Sequence, residues 1–92
     1  MIVRISTEGQ YRLEGSHLDR LNRLDNEVVE AVAGGEEARF RTLYTSLLEF
    51  VRQKGERLAP GDLASSDLVL PEPDLTLAEA AKLFVGEGLI PG

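Results

Sequence analysis

The segment from Glu36 to Gly55 constrains the fold more than any other part of the chain. At about 100° per residue, its apolar residues fill an arc of about 160° on a helix, and polar residues fill the remainder. These apolar residues are Phe40, Leu43, Tyr44, Leu47, Leu48, Phe50 and Val51. A helix with so wide an apolar face packs against more than one neighbour. The rest of the chain therefore has to supply at least two packing partners for it.

The preceding segment supplies one of these partners. Apolar residues recur there at spacings of three and four: Leu18, Leu21, Leu24, Val28 and Val32. Ser16 is the predicted N-terminal cap of this first helix, Asp19 lies in its first turn, and Gly34-Gly35 end it. Because the link to the second helix is so short, the two helices are predicted to form an antiparallel hairpin.

The start of the chain alternates apolar and polar residues, which predicts a β-hairpin. A three-residue loop at 7–9 pairs Ile5 with Tyr11 and Val3 with Leu13, keeps one face apolar and places the loop glycine where a left-handed residue is needed. An isolated two-stranded ribbon is marginally stable in water. The apolar face of this hairpin is therefore expected to pack on the helices.

Between the second helix and the end of the chain the sequence has no sustained period. Its leucines predict an extended strap across the core, with Leu68-Val69-Leu70 as an alternative short strand that completes the hairpin sheet. Thr76 and Glu79 have the spacing of a capping box and predict a third helix. The predicted fold class is α+β, in one domain over 1–92. Its parts are a β-hairpin (1–14), a helical hairpin (16–55), an extended strap (56–75) and a C-terminal helix and tail (76–92).

Composition excludes several functional classes. Sixteen acidic and ten basic side chains give a net charge of −6, which disfavours direct binding to nucleic acid or to anionic lipid. The chain has no cysteine, and no apolar run reaches the roughly 18 residues of a membrane span. A soluble cytoplasmic protein is expected. Residues 1–57 carry a net charge of −1 and residues 58–92 a net charge of −5, so the C-terminal third is predicted to be acidic.

Few residues are candidates for chemistry. His17 is the only histidine, and a metal site that combined it with Glu14 or Asp19 would lack a second histidine. Asp25 lies within the apolar stripe of the first helix, where a carboxylate needs hydrogen bonds or a cation. A structural role is expected for Asp25, with catalysis or an interface as alternatives. The sequence predicts no catalytic, cofactor or metal site, and it favours a binding or structural module.

Five strings of the sequence, in this order, resemble the PspA-associated protein family (PspAA). They are Met1-Ile2-Val3-Arg4-Ile5, Glu8-Gly9-Gln10-Tyr11, Leu21-Asn22-Arg23-Leu24-Asp25, Ser66-Asp67-Leu68-Val69-Leu70-Pro71 and Gly88-Leu89-Ile90-Pro91-Gly92. The resemblance covers essentially the whole chain. It implies a small non-enzymatic partner of PspA, a coiled-coil protein of the phage-shock response to envelope stress. Such a partner would reach the inner face of the membrane through PspA, without inserting into lipid and without a cofactor.

The residues that carry the resemblance are also candidates for the interaction. They are Asp25, Asp67, Leu68, Val69, Leu70, Pro71, Gly88, Leu89, Ile90 and Pro91. Their alternative role is to anchor the core and end the chain. Leu89 and Ile90 are the predicted apolar anchors beside an acidic surface, which would meet a basic stretch of the PspA coiled coil in a salt-sensitive contact.

Two other functions remain open at this point. One is a small ligand-binding or hydrolase domain that uses Asp25 and nearby carboxylates. The other is a homodimer that pairs the exposed edges of the hairpin.

Overall fold

The fold combines a four-stranded sheet with three α-helices in the part of the chain that the structure describes. The structure is a computed structural model and describes residues 1–59, 61 and 65–83. The predicted α+β class is confirmed. In chain order the elements are β1 (Ile2–Ile5), β2 (Gly9–Arg12), α1 (Leu18–Ala33), α2 (Glu37–Lys54), β3 (Glu56–Arg57), β4 (Leu68–Leu70) and α3 (Leu77–Leu83).

The strands are arranged in the order β3-β2-β1-β4. β1 and β2 form the predicted antiparallel hairpin, β3 is antiparallel to β2, and β4 is parallel to β1. Within the segment 56–75, predicted as an extended strap, β3 and β4 pair with the hairpin as strands of the sheet, so the alternative strand at Leu68–Leu70 is confirmed. β3 and β4 also cover the two hairpin edges that had been candidates for strand pairing in a homodimer.

One face of the sheet packs against the helical hairpin of α1 and α2. The strands contribute five buried side chains to this core, and the residue directly after β2 contributes a sixth: Val3, Ile5, Tyr11, Leu68 and Leu70 from the strands, and Leu13. The same cluster contains the inner face of α2, formed by Phe40, Tyr44, Leu47, Leu48 and Val51. The wide apolar arc of α2 thus has the two partners it requires, α1 and the sheet.

The hairpin register differs from the predicted one by two residues. Val3 lies opposite Tyr11 and Ile5 opposite Gly9, so the loop is formed by residues 6–8. A shift of two residues leaves the same side chains on the inner face, because side chains alternate along a strand. In the observed register Leu13 and Met1 also exchange backbone hydrogen bonds, which extends the ladder to the start of the chain.

The observed loop places a threonine in a conformation that glycine usually adopts. Thr7 has a φ of +73°, at a cost of about 1–2 kcal/mol for a residue with a Cβ. The next residue of the loop, Glu8, is held by contacts with other elements. Its carboxylate accepts hydrogen bonds from both Nε and Nη2 of Arg52 in α2, and its carbonyl oxygen accepts one from Arg57. The predicted register was wrong because the apolar face and the loop glycine fit both registers, and the contacts of Glu8 with Arg52 and Arg57 cannot be read from the local sequence.

The helix ends follow the sequence except at the start of α1. Ser16 makes no capping hydrogen bond, because residues Gly15–His17 form a short 3-10 turn whose backbone satisfies the first N–H groups. Gly35 has a φ of +66° and turns the backbone between the end of α1 and the start of α2. The capping box of α3 is confirmed: Thr76 N–H donates to Glu79 at 3.1 Å, and Glu79 N–H donates to the Thr76 hydroxyl at 3.2 Å.

Gly55 allows α2 to end directly against the sheet. A Cβ at this position would lie 2.9 Å from the Cβ of Tyr11 and 2.6 Å from the carbonyl oxygen of Val51, which is too close for any other residue. The chain enters β3 at the next residue. The C-terminal end of α2 is thereby held in a fixed position beside the hairpin.

The ion pair of Glu8 and Arg52 predicts a pH-dependent part of the stability. Hydrogen bonding to Arg52 lowers the pKa of Glu8 below its ordinary value of 4.5. A lowered folded-state pKa stabilises the fold above the unfolded-state pKa, and this stabilisation is lost as the pH falls through the folded-state value. Glu8→Gln should therefore cost about 1 kcal/mol at pH 7 and less at pH 3, as measured by urea unfolding.

The control for this experiment is Glu14→Gln, since Glu14 is exposed and forms no ion pair with a described residue. A destabilisation by Glu8→Gln that is the same at both pH values would contradict the assigned role of the Arg52 contact.

Candidate interaction surface

The motif residues 66–71 form the outer strand beside β1. The Asp67 carboxylate accepts a hydrogen bond from the Ile2 N–H at 2.7 Å. Leu68 and Leu70 are buried, whereas Val69 is 51% exposed on the opposite face of the sheet. Three of these candidate residues therefore hold the strand in place, and only Val69 presents a large apolar surface to a partner.

The segment after β4 is fixed by two side chains of α2. The Tyr44 hydroxyl donates to the carbonyl oxygen of Pro71 at 2.5 Å, and burial raises the pKa of Tyr44, so it remains a donor. Arg41 donates to the carbonyl oxygens of Pro73, at 2.8 Å, and of Leu75. Pro71 thus lies in a structural attachment of the chain to α2.

Asp25 lies in the core on the inner face of α1, where its position in the apolar stripe predicts it. Only 1% of its surface is exposed. A substrate in solution has no access to this carboxylate unless the core opens. The hydrolase alternative has no support from this position.

Replacing the buried carboxylate gives a direct prediction. Asp25→Ala should lower the free energy of unfolding by about 1–3 kcal/mol, because a buried hydrogen-bonding group loses its partner. Asp25→Asn should cost less, since the amide keeps one acceptor oxygen. Urea unfolding of both variants measures the difference. Full stability of the alanine variant would show that the carboxylate does not stabilise the core.

The other motif candidates, Gly88, Leu89, Ile90 and Pro91, lie outside the described residues. Their role as anchors stays a prediction.

An open groove runs between α1 and α2. Its volume is about 430 Å³. His17, just before α1, and Arg20 and Leu24 of α1 line one side, and residues of α2 between Thr45 and Lys54 line the other. The groove thus lies along the start of α1 and the C-terminal half of α2.

Short side chains in the middle of α2 keep the groove open. Thr45 and Ser46 are exposed and line it, and the Ser46 hydroxyl is already bonded to the Thr42 carbonyl oxygen at 3.0 Å. Beside them Phe50 is half-buried, and its ring meets the ring of His17 edge-on with centroids 5.9 Å apart. The groove therefore combines the aromatic pair of His17 and Phe50 with the short polar side chains of Thr45 and Ser46, which form its floor.

The charges of the groove are predominantly basic. Arg20 and Lys54 are exposed, and neither forms an ion pair with a described residue. The one carboxylate of the lining belongs to Glu49, and its Oε1 lies 3.5 Å from Nη1 of Arg52, which is also paired with Glu8. The groove thus carries two cations against one carboxylate, in a chain whose net charge is −6.

The sequence did not identify this groove. Phe50 was assigned to the apolar arc of α2, and Thr45 and Ser46 to its polar side. The available signal was the combination of an aromatic residue at the edge of the arc with short polar residues next to it. Only the packing of α1 beside α2 shows that these residues form a concave surface.

Two classes of site are not found in the described part of the chain. No group of three or more His, Asp or Glu side chains within it could hold a metal ion. None of its helices has both the length and the hydropathy needed to cross a membrane.

Comparison with known families identifies the chain. The family model of the PspA-associated proteins matches residues 1–92. The chain belongs to the PspA-associated protein family. Neither the curated proteins nor the solved structures gave a match. Membership of PspAA over its whole length is what the sequence resemblance predicted.

Proposed function

We propose that this PspAA protein is a non-enzymatic interaction module that acts with PspA in the envelope-stress response, and that the groove between α1 and α2 is its docking site. The observation that carries the proposal is the open groove with Phe50 at its side. Interfaces concentrate their binding energy in a few aromatic and Arg residues with neighbours that exclude water. Phe50 and Arg20 are residues of this kind in one concave surface.

The family description supports the choice of partner. It names an association with PspA. A protein that is rich in coiled coil presents helices, and a helix laid into an apolar groove is a recurrent mode of recognition. Binding through PspA would bring the protein to the inner face of the membrane.

Filling the groove tests the proposal. Ser46→Trp places a large side chain on the groove floor at an exposed position, so the fold should tolerate it. The captured amount of the PspA-like protein from the same organism should fall at least about tenfold in a pull-down, since blocking the anchor pocket removes on the order of 1.4 kcal/mol or more. Unchanged capture would exclude the groove as the docking site.

The matched control is Thr42→Trp. Thr42 is exposed on the same helix, one turn earlier, and does not line the groove. This variant should bind like the unmodified protein. If the unmodified protein fails to capture PspA even at low salt, the proposed association itself is wrong.

A further inference from the structure

From the groove geometry we infer the chemistry of its occupant: an amphipathic helix with carboxylates beside its apolar stripe. This inference rests on the proposed function, because it describes the segment of PspA that enters the groove. It also reverses an expectation from the sequence, in which the acidic C-terminal third was to meet a basic stretch of the partner.

The length of the groove fits a short helical segment. On α2 its lining runs from Thr45 to Lys54. Ten residues of helix span about 15 Å, so the lining extends over nearly three turns. A partner helix that lies along this length would complete a three-helix arrangement with α1 and α2, with one apolar side chain against Phe50 and His17.

The charges of the groove select the sign of the partner. Arg20 is on the α1 side and Lys54 on the α2 side, so both walls carry a cation, and the one carboxylate of the lining, that of Glu49, lies 3.5 Å from Arg52. A helix with glutamates on both flanks of its apolar stripe would place carboxylates next to both cations. Close opposite charges add to affinity and fix the register, whereas like charges oppose binding.

The net charge of the protein distinguishes binding in the groove from non-specific electrostatic attraction. A chain with a net charge of −6 should attract a basic peptide through its overall field. A preference for an acidic helix can arise only from a local basic site. A preference for the acidic peptide therefore indicates binding at the groove, and a preference for the basic peptide indicates binding at the acidic surface predicted for residues 58–92.

The experiment uses two synthetic helical peptides of about 20 residues, long enough to be helical in water. Both have the same leucine stripe; one carries glutamates on its flanks and the other lysines. Titration into the full-length protein at low salt should give at least about tenfold tighter binding of the acidic peptide, and added salt should reduce the difference.

Charge reversal locates the effect. Arg20→Glu should remove most of the preference for the acidic peptide, about a tenfold loss of affinity. Arg23→Glu changes the net charge equally at an exposed position of the same helix, but it does not line the groove and should change the affinity by less than about twofold. Glutamate near the start of a helix is compatible with folding in both variants.

Three outcomes would overturn the inference: tighter binding of the basic peptide, no binding of either peptide, or equal effects of the two charge reversals. The proposed function fails separately. Selective binding of the acidic peptide without capture of PspA would retain the acidic-helix chemistry and reject PspA as the partner. Capture of PspA that Ser46→Trp leaves intact would place the partner elsewhere and reject the occupant described here.

Discussion

Replacing Phe40 by alanine should lower the free energy of unfolding by about 3–5 kcal/mol, the usual cost of truncating a buried phenylalanine. Phe40 has no exposed surface, and its ring stacks on that of Tyr44 with centroids 5.6 Å apart. Its loss leaves a cavity where α2 meets the rest of the core. Since small domains have about 5–15 kcal/mol of total stability, urea unfolding should show a large decrease in the midpoint.

The same helix contains the control. Phe50 is only half-buried and lines the groove, so Phe50→Ala should destabilise the protein much less than Phe40→Ala. The two variants also separate stability from binding, because Phe50→Ala should remain folded and lose its affinity for a partner helix. Equal destabilisation by both substitutions would contradict the assignment of Phe50 to an open surface.

Replacing Leu70 by alanine should cost about 2–5 kcal/mol, because β4 places this leucine in the core beside β1. Leu70 has no exposed surface and lies opposite Ile5 in the parallel pair. If residues 68–70 were a loop lying loosely over the core, the same substitution would lower the free energy of unfolding much less. Thermal or urea unfolding of the variant therefore tests whether residues 68–70 form a strand of the sheet.

Val69 provides the comparison within the same strand. Its side chain points to the opposite face and is 51% exposed, so Val69→Ala should change the stability by about 0.5 kcal/mol or less. Similar effects of Val69→Ala and Leu70→Ala on stability would contradict the alternation of buried and exposed side chains along β4.

Much of the fold could be predicted from local patterns. The spacing of apolar residues located α1 and α2, and the pair of Thr76 and Glu79 located the start of α3, because both depend on residues close in sequence. The parallel pairing of β4 with β1 could not be decided in this way. It joins Val3 to Leu68 across most of the chain, and a three-residue apolar run is too short to distinguish a strand from an anchored loop.

The loop of the hairpin and the candidate site depend on contacts that the sequence does not show. Thr7 has a positive φ, and Glu8 next to it accepts a hydrogen bond from Arg52 of another element. The groove likewise exists only because α1 and α2 pack side by side. Its residues come from the polar side and the edge of the apolar arc of α2 and from the start of α1, so no single motif contains them.

The position of a bound PspA helix tests the central claim most directly. A photo-crosslinking amino acid can be placed at position 46, on the groove floor, or at position 69, on the exposed face of β4. With the PspA-like protein of the same organism as partner, we expect a crosslink from position 46 and none from position 69. A crosslink from position 69 alone would show that PspA docks on the sheet and that the groove is not its binding site.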